Sequence, residues 1–481
     1  MGKFCLRYVA SRGYRSVHDA ISGDVARLFG SYKYSPFEPQ AHYYLSPAVQ
    51  ISTIALRYLK TMADIYIIGH GVFGLSTLNH VLKRFPKRRL SVISQTSDLA
   101  ASDDIAKIVR VDYSNSRRMV EAAEAQKKWK GEAQFSSYYR EVGRIISYET
   151  SDRLEAVNQA RTELGFPVRQ EHSSLMQNIF DSTTAPQHTV FNEDDAMVNW
   201  KPCIDQEREK AMEACKRSGG CYYNTGVKRL HQQAGRITRL ELGNGEFIDV
   251  TTAEVVLAVG PWFAQLLQES SISLPPTWRT PVATGIFVFP LEMTQEQIEN
   301  FQGKPIVTHQ KGTAEFLPPT TGGATAKLTW VNPFTNKGNS SVSKVEDLSG
   351  SALAQQHMAN VIEWAREYLP GLRGARISSI RSIWDGITDT QDPLIARHPD
   401  LANVVTAVGG SFNRAKDLPS IGKLVVDVLD NEPIPEQYGW NPERTANRDH
   451  PQLMATGDFA EMEKAAGAFK ERVNKRSPVA Y

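Results

Sequence analysis

Apolar positions along this chain follow two rhythms. From residue 64 to 93 the pattern is strand, helix, strand. Ile65-Tyr66-Ile67-Ile68 is an unbroken apolar run, as a parallel strand covered on both faces requires, and it leads into Gly69-His70-Gly71-Val72-Phe73-Gly74. Leu75, Leu78, Val81, Leu82 and Phe85 then recur on one helical face until Pro86 stops the helix, and Leu90-Ser91-Val92-Ile93 supplies the second strand. An amphipathic helix is predicted around Met119 to Trp129, while residues 150–220 mix helical and irregular patterns that resist close assignment. Beyond them, Asn224-Thr225-Gly226-Val227 is read as the start of a strand. Strands at Ile237–Leu240 and Phe247–Val250 flank a turn at Gly243-Asn244-Gly245, and Ala253–Val259 is a buried strand closing on Gly260-Pro261-Trp262. From Pro281 to Pro333 the rhythm changes to alternation with period two, predicting strands at Gly285–Phe289, Pro305–Thr308, Ala314–Leu317 and Ala326–Trp330 in an antiparallel sheet with one covered face. A helix over Ala354–Leu369 follows.

The turn after the first strand has the spacing G-x-G-x-x-G. Glycines there allow a tight turn, close approach of backbone to a pyrophosphate and close packing of helix on strand, and the helix N-terminus favours negative charge. A plain structural turn is the alternative reading of the same glycines. About twenty residues beyond the last glycine such a site usually carries an acidic residue for the ribose hydroxyls. This chain has Ser94 there, followed by Gln95.

Charge and composition narrow the classes. The formal net charge over 481 residues is only +2, which argues against nucleic acid as a partner. There is no run of apolar residues long enough for a membrane span. Cys5, Cys203, Cys215 and Cys221 lack the paired spacing of a zinc site, so no metal is expected and the thiols are read as reduced. Residues 1–61 are basic, poor in acids and rich in Ser and Tyr. They are read either as a mitochondrial leader or as a non-native extension upstream of Met62, poorly ordered in both cases. The last residues lack a Ser-Lys-Leu peroxisomal address, and a cytoplasmic location is expected unless the leader is genuine.

Further motifs supply a family resemblance. Ala101-Ser102-Asp103-Asp104-Ile105-Ala106-Lys107-Ile108-Val109-Arg110, Ile383-Trp384-Asp385, Thr388-Asp389-Thr390-Gln391-Asp392 and Gly409-Gly410-Ser411-Phe412 through Lys416-Asp417-Leu418-Pro419-Ser420-Ile421-Gly422-Lys423 occur in this order. With the glycine turn, they resemble the FAD-dependent amine oxidases of the sarcosine oxidase and fructosyl amino acid oxidase (amadoriase) family, in its fungal form, over about residues 62–430. The resemblance implies an α/β fold with a discontinuous Rossmann-like FAD-binding domain and a substrate domain built on a mixed or antiparallel sheet. The expected partition is 62–150, 206–266 and 384–430 for FAD, 151–205 and 267–383 for substrate, and 431–481 as a tail whose helix packs on the surface.

The same resemblance assigns residues. Gly69, Gly71, Phe73, Gly74, Ser94, Ser102, Asp104, Val227, Gly260, Trp262, Ser411, Phe412, Lys416 and Leu418 would contact FAD. Lys107 and Lys416 would orient an anionic substrate, with Arg110 just behind, and Lys327 would promote reaction with oxygen, where a preorganised cation lowers the barrier to developing negative charge. For Lys107 and Arg110 a solvated helix face is the alternative, and for Lys327 a strand lysine pointing to solvent. Three departures stand out. Ile383 replaces the cysteine that attaches FAD covalently in many relatives, so non-covalent FAD is expected; Val331 takes the place of an active-site histidine; and Asn413-Arg414 takes the place of His-Gly. Arg414 could read a second acidic group or face solvent.

The implied reaction is oxidation of a C–N bond in an amino acid or N-substituted amine by molecular oxygen, giving imine and peroxide, in a monomer. Two other readings stay open: a flavin-dependent tailoring dehydrogenase or oxidase of a larger metabolite, and a decayed member that binds without turnover. No side chain stands out in the sequence as the base that would neutralise the substrate amine.

Overall fold

The computed structural model describes residues 63–476, except 276, 277, 279, 311, 312, 321, 337–341, 343–349 and 441–456. The reading of residues 1–61 lies outside the described residues.

Ile65–Ile68 forms the expected strand and is buried along its whole length. It sits inside a six-stranded sheet of order Leu394–Arg397, Val404–Val408, Glu254–Leu257, Ile65–Ile68, Leu90–Ser94, Tyr222–Asn224. Neighbours from Val404–Val408 to Tyr222–Asn224 pair in parallel, and Leu394–Arg397 closes one edge antiparallel. The apolar run is explained by what covers it. Ile65 and Ile67 pack with Leu75, Leu78 and Val81 of the helix Val72–Arg84, Ile204 and Ala211 of the helix Trp200–Arg217, and Val425 and Leu429 of the helix Gly422–Asp430. Tyr66 and Ile68 face the other way, toward the three-stranded meander Val227–Gln233, Arg236–Leu242, Phe247–Asp249 and the helix Phe263–Glu269.

The alternating region forms the second layer system. Val282–Glu292 lies between Thr325–Thr335 and Arg381–Ile387, antiparallel to both. The sheet continues through Ala314–Leu317, Ile306–His309, Arg144–Ser147 and Thr189–Asn192. The helix Ala352–Tyr368 packs Leu353, Val361 and Trp364 against Phe287, Phe289 and Phe334 of this sheet. A small sheet, Ala106–Val109 with Ala196–Asn199 and Tyr139–Arg140, completes the architecture. The fold is α/β with one mainly parallel and one mainly antiparallel sheet, as the resemblance implies.

Several boundaries differ from expectation, each because burial overrides local sequence. The division between 205 and 206 falls inside the helix Trp200–Arg217, whose Trp200, Cys203 and Ile204 are fully buried in the same core as the parallel sheet. Arg144–Ser147, assigned with the FAD-binding part, pairs with Ile306–His309 in the large sheet. The division before Trp384 cuts the continuous strand Arg381–Ile387. The strand read from Asn224 to Val227 is two strands in different sheets, broken at Thr225-Gly226. In the tail, Gly457–Asp458 pairs with Phe334 and Thr335, and the following helix Phe459–Arg476 buries Ala466 against the core of the large sheet.

Candidate active site

Each glycine of the turn is required for a different reason. Gly69 has φ +105°, and a Cβ on it would stand 2.3 Å from the Ala258 carbonyl oxygen of the neighbouring strand. A Cβ on Gly74 would stand 1.9 Å from the Gly69 carbonyl oxygen, so the helix can lie on the turn only without a side chain there. A Cβ on Gly71 would meet Ser102 Oγ at 2.8 Å. Ser102 Oγ also accepts the Val72 N–H at 3.3 Å, which ties the loop after the second strand to the start of the helix. The first helical turn carries no acidic residue. Its free N–H groups and positive dipole end face a cleft of about 510 Å³.

The cleft runs past this turn. At one end lie Ser94, Gln95, Gly226 and Val227; beside the turn stand Phe73, Ser102, Gly260 and Trp262; at the other end are Lys107, Trp384, Asp385, Gly410 and Phe412. Ser94 is buried, and its Oγ accepts the His70 backbone N–H at 3.1 Å, leaving its O–H free to donate. His70 Nδ1 meets Tyr222 Oη, and burial, followed by the field of Arg208, pushes the imidazole down to about 4. Arg208 was not singled out in the sequence. It lines the cleft, donates to Asp103 at 3.2 Å and to Asp205 at 3.1 Å, and keeps a buried Nε without a partner. Its signal was obscured because the surrounding helix is rich in charge.

Asp104 is the centre of the charged end. Its Oδ2 accepts from Lys107 Nζ at 2.7 Å and from Lys327 Nζ at 2.8 Å, and Lys327 also donates to the Ala106 carbonyl at 3.1 Å. Burial works to raise the Asp104 carboxyl, but the two ammonium groups outweigh it and hold the group well below the usual carboxylate range. Burial, with Lys327 as a like charge, pushes Lys107 down, and Asp104 opposes that. Two cations share this one anion, and the charge of Asp385 also reaches Lys107. Lys107 stands on the cleft wall, whereas Lys327 is buried behind it.

The segment after Gly409 is placed differently from the expectation. Lys416 is buried, donates to the Asn413 carbonyl at 2.7 Å and lies 5.0 Å over the Tyr113 ring. Arg414 and Ala415 form the cleft wall there instead. Arg414 does not face solvent: it bonds Glu121 at 3.2 Å, Asp417 at 3.0 Å and Asp392 at 3.5 Å. Arg110 Nε donates to Tyr113 Oη at 3.1 Å. Burial works to raise the Tyr113 phenol, and the charges of Arg110 and Lys416 bring it below its ordinary value. Leu418 is fully buried in the core against the parallel sheet, and Ser411 is fully buried, its Oγ accepting the Thr388 N–H at 3.3 Å. Ile383 sits among Ile286 and Val288 with Phe412 against them, and Val331 is half-buried.

Asp385 closes the Ile383-Trp384-Asp385 motif. Its Oδ1 accepts the Gly386 N–H and its Oδ2 the Phe412 N–H, each at 2.8 Å. A Cβ on Gly410 would stand 2.6 Å from Oδ2, so the glycine lets the turn close on the carboxylate. Burial pushes the group up to about 6, against the two backbone N–H groups and Lys107.

The arrangement fits a dinucleotide carrying a redox ring: a glycine cradle that side chains would fill, and an elongated cleft from Val227 to Asp385. Among the described residues no group of three or more His, Cys, Asp and Glu is placed to hold a metal, and no helix is long and apolar enough to cross a membrane.

Comparison with known proteins agrees with this fit. The family model described as DAO, FAD dependent oxidoreductase, matches residues 64–428. L-saccharopine oxidase of Schizosaccharomyces pombe is 25% identical over 405 residues, covering 75% of this chain and 88% of that protein. Amadoriase I of Aspergillus fumigatus, a fructosyl amine:oxygen oxidoreductase, superposes with a TM-score of 0.65 at 21% identity, covering 83% of this chain and 96% of that one. A modified fructosyl peptide oxidase of Aspergillus nidulans superposes with a TM-score of 0.70 at 18% identity, over 84% and 99% of the two chains.

Proposed function

Because this chain belongs to the DAO family of FAD-dependent oxidoreductases, we propose that it oxidises the C–N bond of an amino acid or N-substituted secondary amine, giving an imine and hydrogen peroxide. The relatives act on L-saccharopine and on fructosyl amines, which makes an N-substituted amino acid the first substrate class to try. FAD, when bound, supplies the hydride acceptor for this chemistry.

The observation that carries the reading is the Lys107–Asp104–Lys327 cluster. Lys107, the cation of this cluster on the cleft wall, attracts an anionic substrate group, and in a buried setting its field is weakly screened. Lys107, on the wall, orients the substrate; Lys327, fixed by Asp104 and the Ala106 carbonyl, holds a cation where oxygen reduction develops negative charge. Phe412, Trp384 and Trp262 supply apolar cleft surface that excludes water. Gly69 and Gly71 would cradle the pyrophosphate, with Gly74 letting the helix lie on the turn, and Ser94 and Gln95 would take the ribose with neutral donors. Ile383 offers no thiol, so FAD is held without a covalent bond.

The test is to purify the protein, precipitate it with acid and follow the yellow colour. Flavin in the supernatant supports non-covalent FAD; colour that stays with the pellet rules it out. Peroxide release is then measured with L-saccharopine, fructosyl amino acids and sarcosine as substrates. Flavin that is reduced by none of them sinks the amine reading.

A further inference from the structure

A substrate amine must be neutral before its carbon can release hydride, and at neutral pH an aliphatic amine is mostly protonated. The cleft therefore needs a proton acceptor, and its titratable groups can be weighed one by one. Asp104 is engaged by two lysines, which lowers its affinity for a proton. Asp103 is held by Arg208. Asp98 and Glu269 line the cleft but are exposed. His70 is committed to Tyr222 at the glycine turn.

Asp385 differs from all of these. It lines the cleft beside Phe412 and Lys107, and among the described residues no lysine or arginine lies within ion-pair distance of it. A carboxylate offers about four lone-pair sites, and only one on each oxygen is taken by the Gly386 and Phe412 N–H groups. The rest are free. The turn that carries the second donor is strained: Ser411 and Phe412 both have φ +51°, a conformation that costs of order 1 kcal/mol or more per residue and persists only where the surroundings enforce it.

Resting on the amine reading above, we propose that Asp385 is the general base that takes the proton from the substrate ammonium. In this step an N–H bond of the ammonium breaks and an O–H bond forms on the carboxylate. No electron changes hands, and the nitrogen lone pair is released to assist departure of the hydride. The proton affinity of the group suits this: burial pushes its carboxyl to about 6, so it is ionised at neutral pH and yet titrates close to it. The neighbouring charges do not spoil the arrangement. Lys107 is the charged side chain whose field reaches Asp385, and it is itself engaged by Asp104, which Lys327 shares. Arg414, further along the turn, is committed to Glu121, Asp417 and Asp392.

The experiment mixes the FAD-loaded enzyme anaerobically with sarcosine or L-saccharopine and follows loss of flavin absorbance from about pH 5 to about pH 9. The wild-type rate should fall on the acid side with an apparent pKa near 6. Asp385→Asn should slow reduction at neutral pH by roughly 10²–10⁴-fold. That variant should also replace the limb near 6 with a rate that climbs as the substrate amine itself deprotonates. Asparagine can accept only one of the two backbone N–H groups cleanly, so flavin content and circular dichroism are recorded alongside, and Asp385→Glu should restore a titrating limb. Independently of turnover, an infrared carboxylic C=O band that titrates near 6 in the resting enzyme should vanish in Asp385→Asn. A wild-type profile without that limb, or an Asp385→Asn profile like the wild type, overturns the assignment. Flavin that none of L-saccharopine, the fructosyl amino acids and sarcosine reduces removes the amine reading, and the base with it.

Discussion

At the scale of single residues, the site turns on how many charges share one partner. Asp104 is 1% exposed and serves both Lys107 and Lys327, so removing it strands two ammonium groups. Breaking a buried pair from one side costs about 3–5 kcal/mol, and Asp104→Ala should lower the unfolding free energy measured in urea by at least that much. Lys327→Met leaves Lys107 paired with Asp104 and should be milder for stability. Under the proposed function it should slow reoxidation of the reduced enzyme by oxygen while leaving anaerobic reduction by substrate within a few-fold, which stopped-flow absorbance separates. Equal loss in both half-reactions would argue against its role with oxygen. Gly74→Ala places a methyl 1.9 Å from a fixed carbonyl oxygen. Overpacking of this kind costs about 1–3 kcal/mol, and the variant should be purified with little flavin. The glycines were legible in the sequence because only backbone geometry is at stake. Lys416 was not. Whether it or Arg414 meets the cleft depends on the orientation of the short turn Ala415–Asp417, which Glu121 and Asp392 from other parts of the chain, together with Asp417 of the turn itself, fix by binding Arg414.

Among the elements, those with a clear apolar rhythm were readable and those capped or covered from afar were not. Val72–Arg84, Ser116–Gly131 and Ala352–Tyr368 appear where helical spacing placed them, and the alternating segments became the large sheet. Residues 150–220 resisted because their helices bury polar groups. In Trp200–Arg217, Glu207 and Arg208 are buried with partners on other elements, Asn79 for the first and Asp103 for the second, so polarity there does not mark the outer face. The C-terminal helix shows the same effect. Glu463 accepts the Ala352 N–H at 2.7 Å, the Leu353 N–H at 3.0 Å and the Ser351 hydroxyl at 2.7 Å, so a residue far along the chain caps the helix Ala352–Tyr368. Burial works to raise its carboxyl, and these donors hold it below its ordinary value. Loss of a helix cap costs about 0.5–2 kcal/mol, and Glu463→Ala should show that loss in chemical denaturation without any change in flavin content. A variant that loses flavin would mean that the C-terminal helix supports the cofactor part as well.

For the whole molecule, stability against acid depends on groups held away from water, among them His70, His357 and Asp385. His70 and His357 are each pushed down to about 4, chiefly by burial, from an unfolded value near 6.5. Between those values the unfolded chain binds more protons, so stability is lost as pH falls through the window, by roughly 3 kcal/mol for each histidine. Asp385, raised by burial from 3.8 to about 6, has the opposite sign: the folded chain binds more protons there, and stability is gained as pH falls. Its gain of roughly 3 kcal/mol offsets one histidine. These three groups together contribute a loss of about 3 kcal/mol between neutral pH and pH 4, to which His80 and His398, also lowered by burial, add and which Asp195, raised by burial, opposes; urea unfolding across pH measures the result. Asp385→Asn should steepen that loss; a flat profile would show that the histidines are not buried in neutral form. Near-neighbour chemistry was enough for the sequence to determine the glycine cradle, the strand–helix–strand unit, the alternating sheet and, through ordered motifs, the flavoenzyme fold. Periodicity and turn geometry act over a few residues and are written locally. Tertiary structure alone decided which charges meet. It brought Lys327 to Asp104, withdrew Lys416 behind Arg414 and left Asp385 on the cleft wall without an ion-pair partner. Burial and pairing, which set proton affinity and net charge, depend on residues hundreds of positions apart, and no local pattern records them.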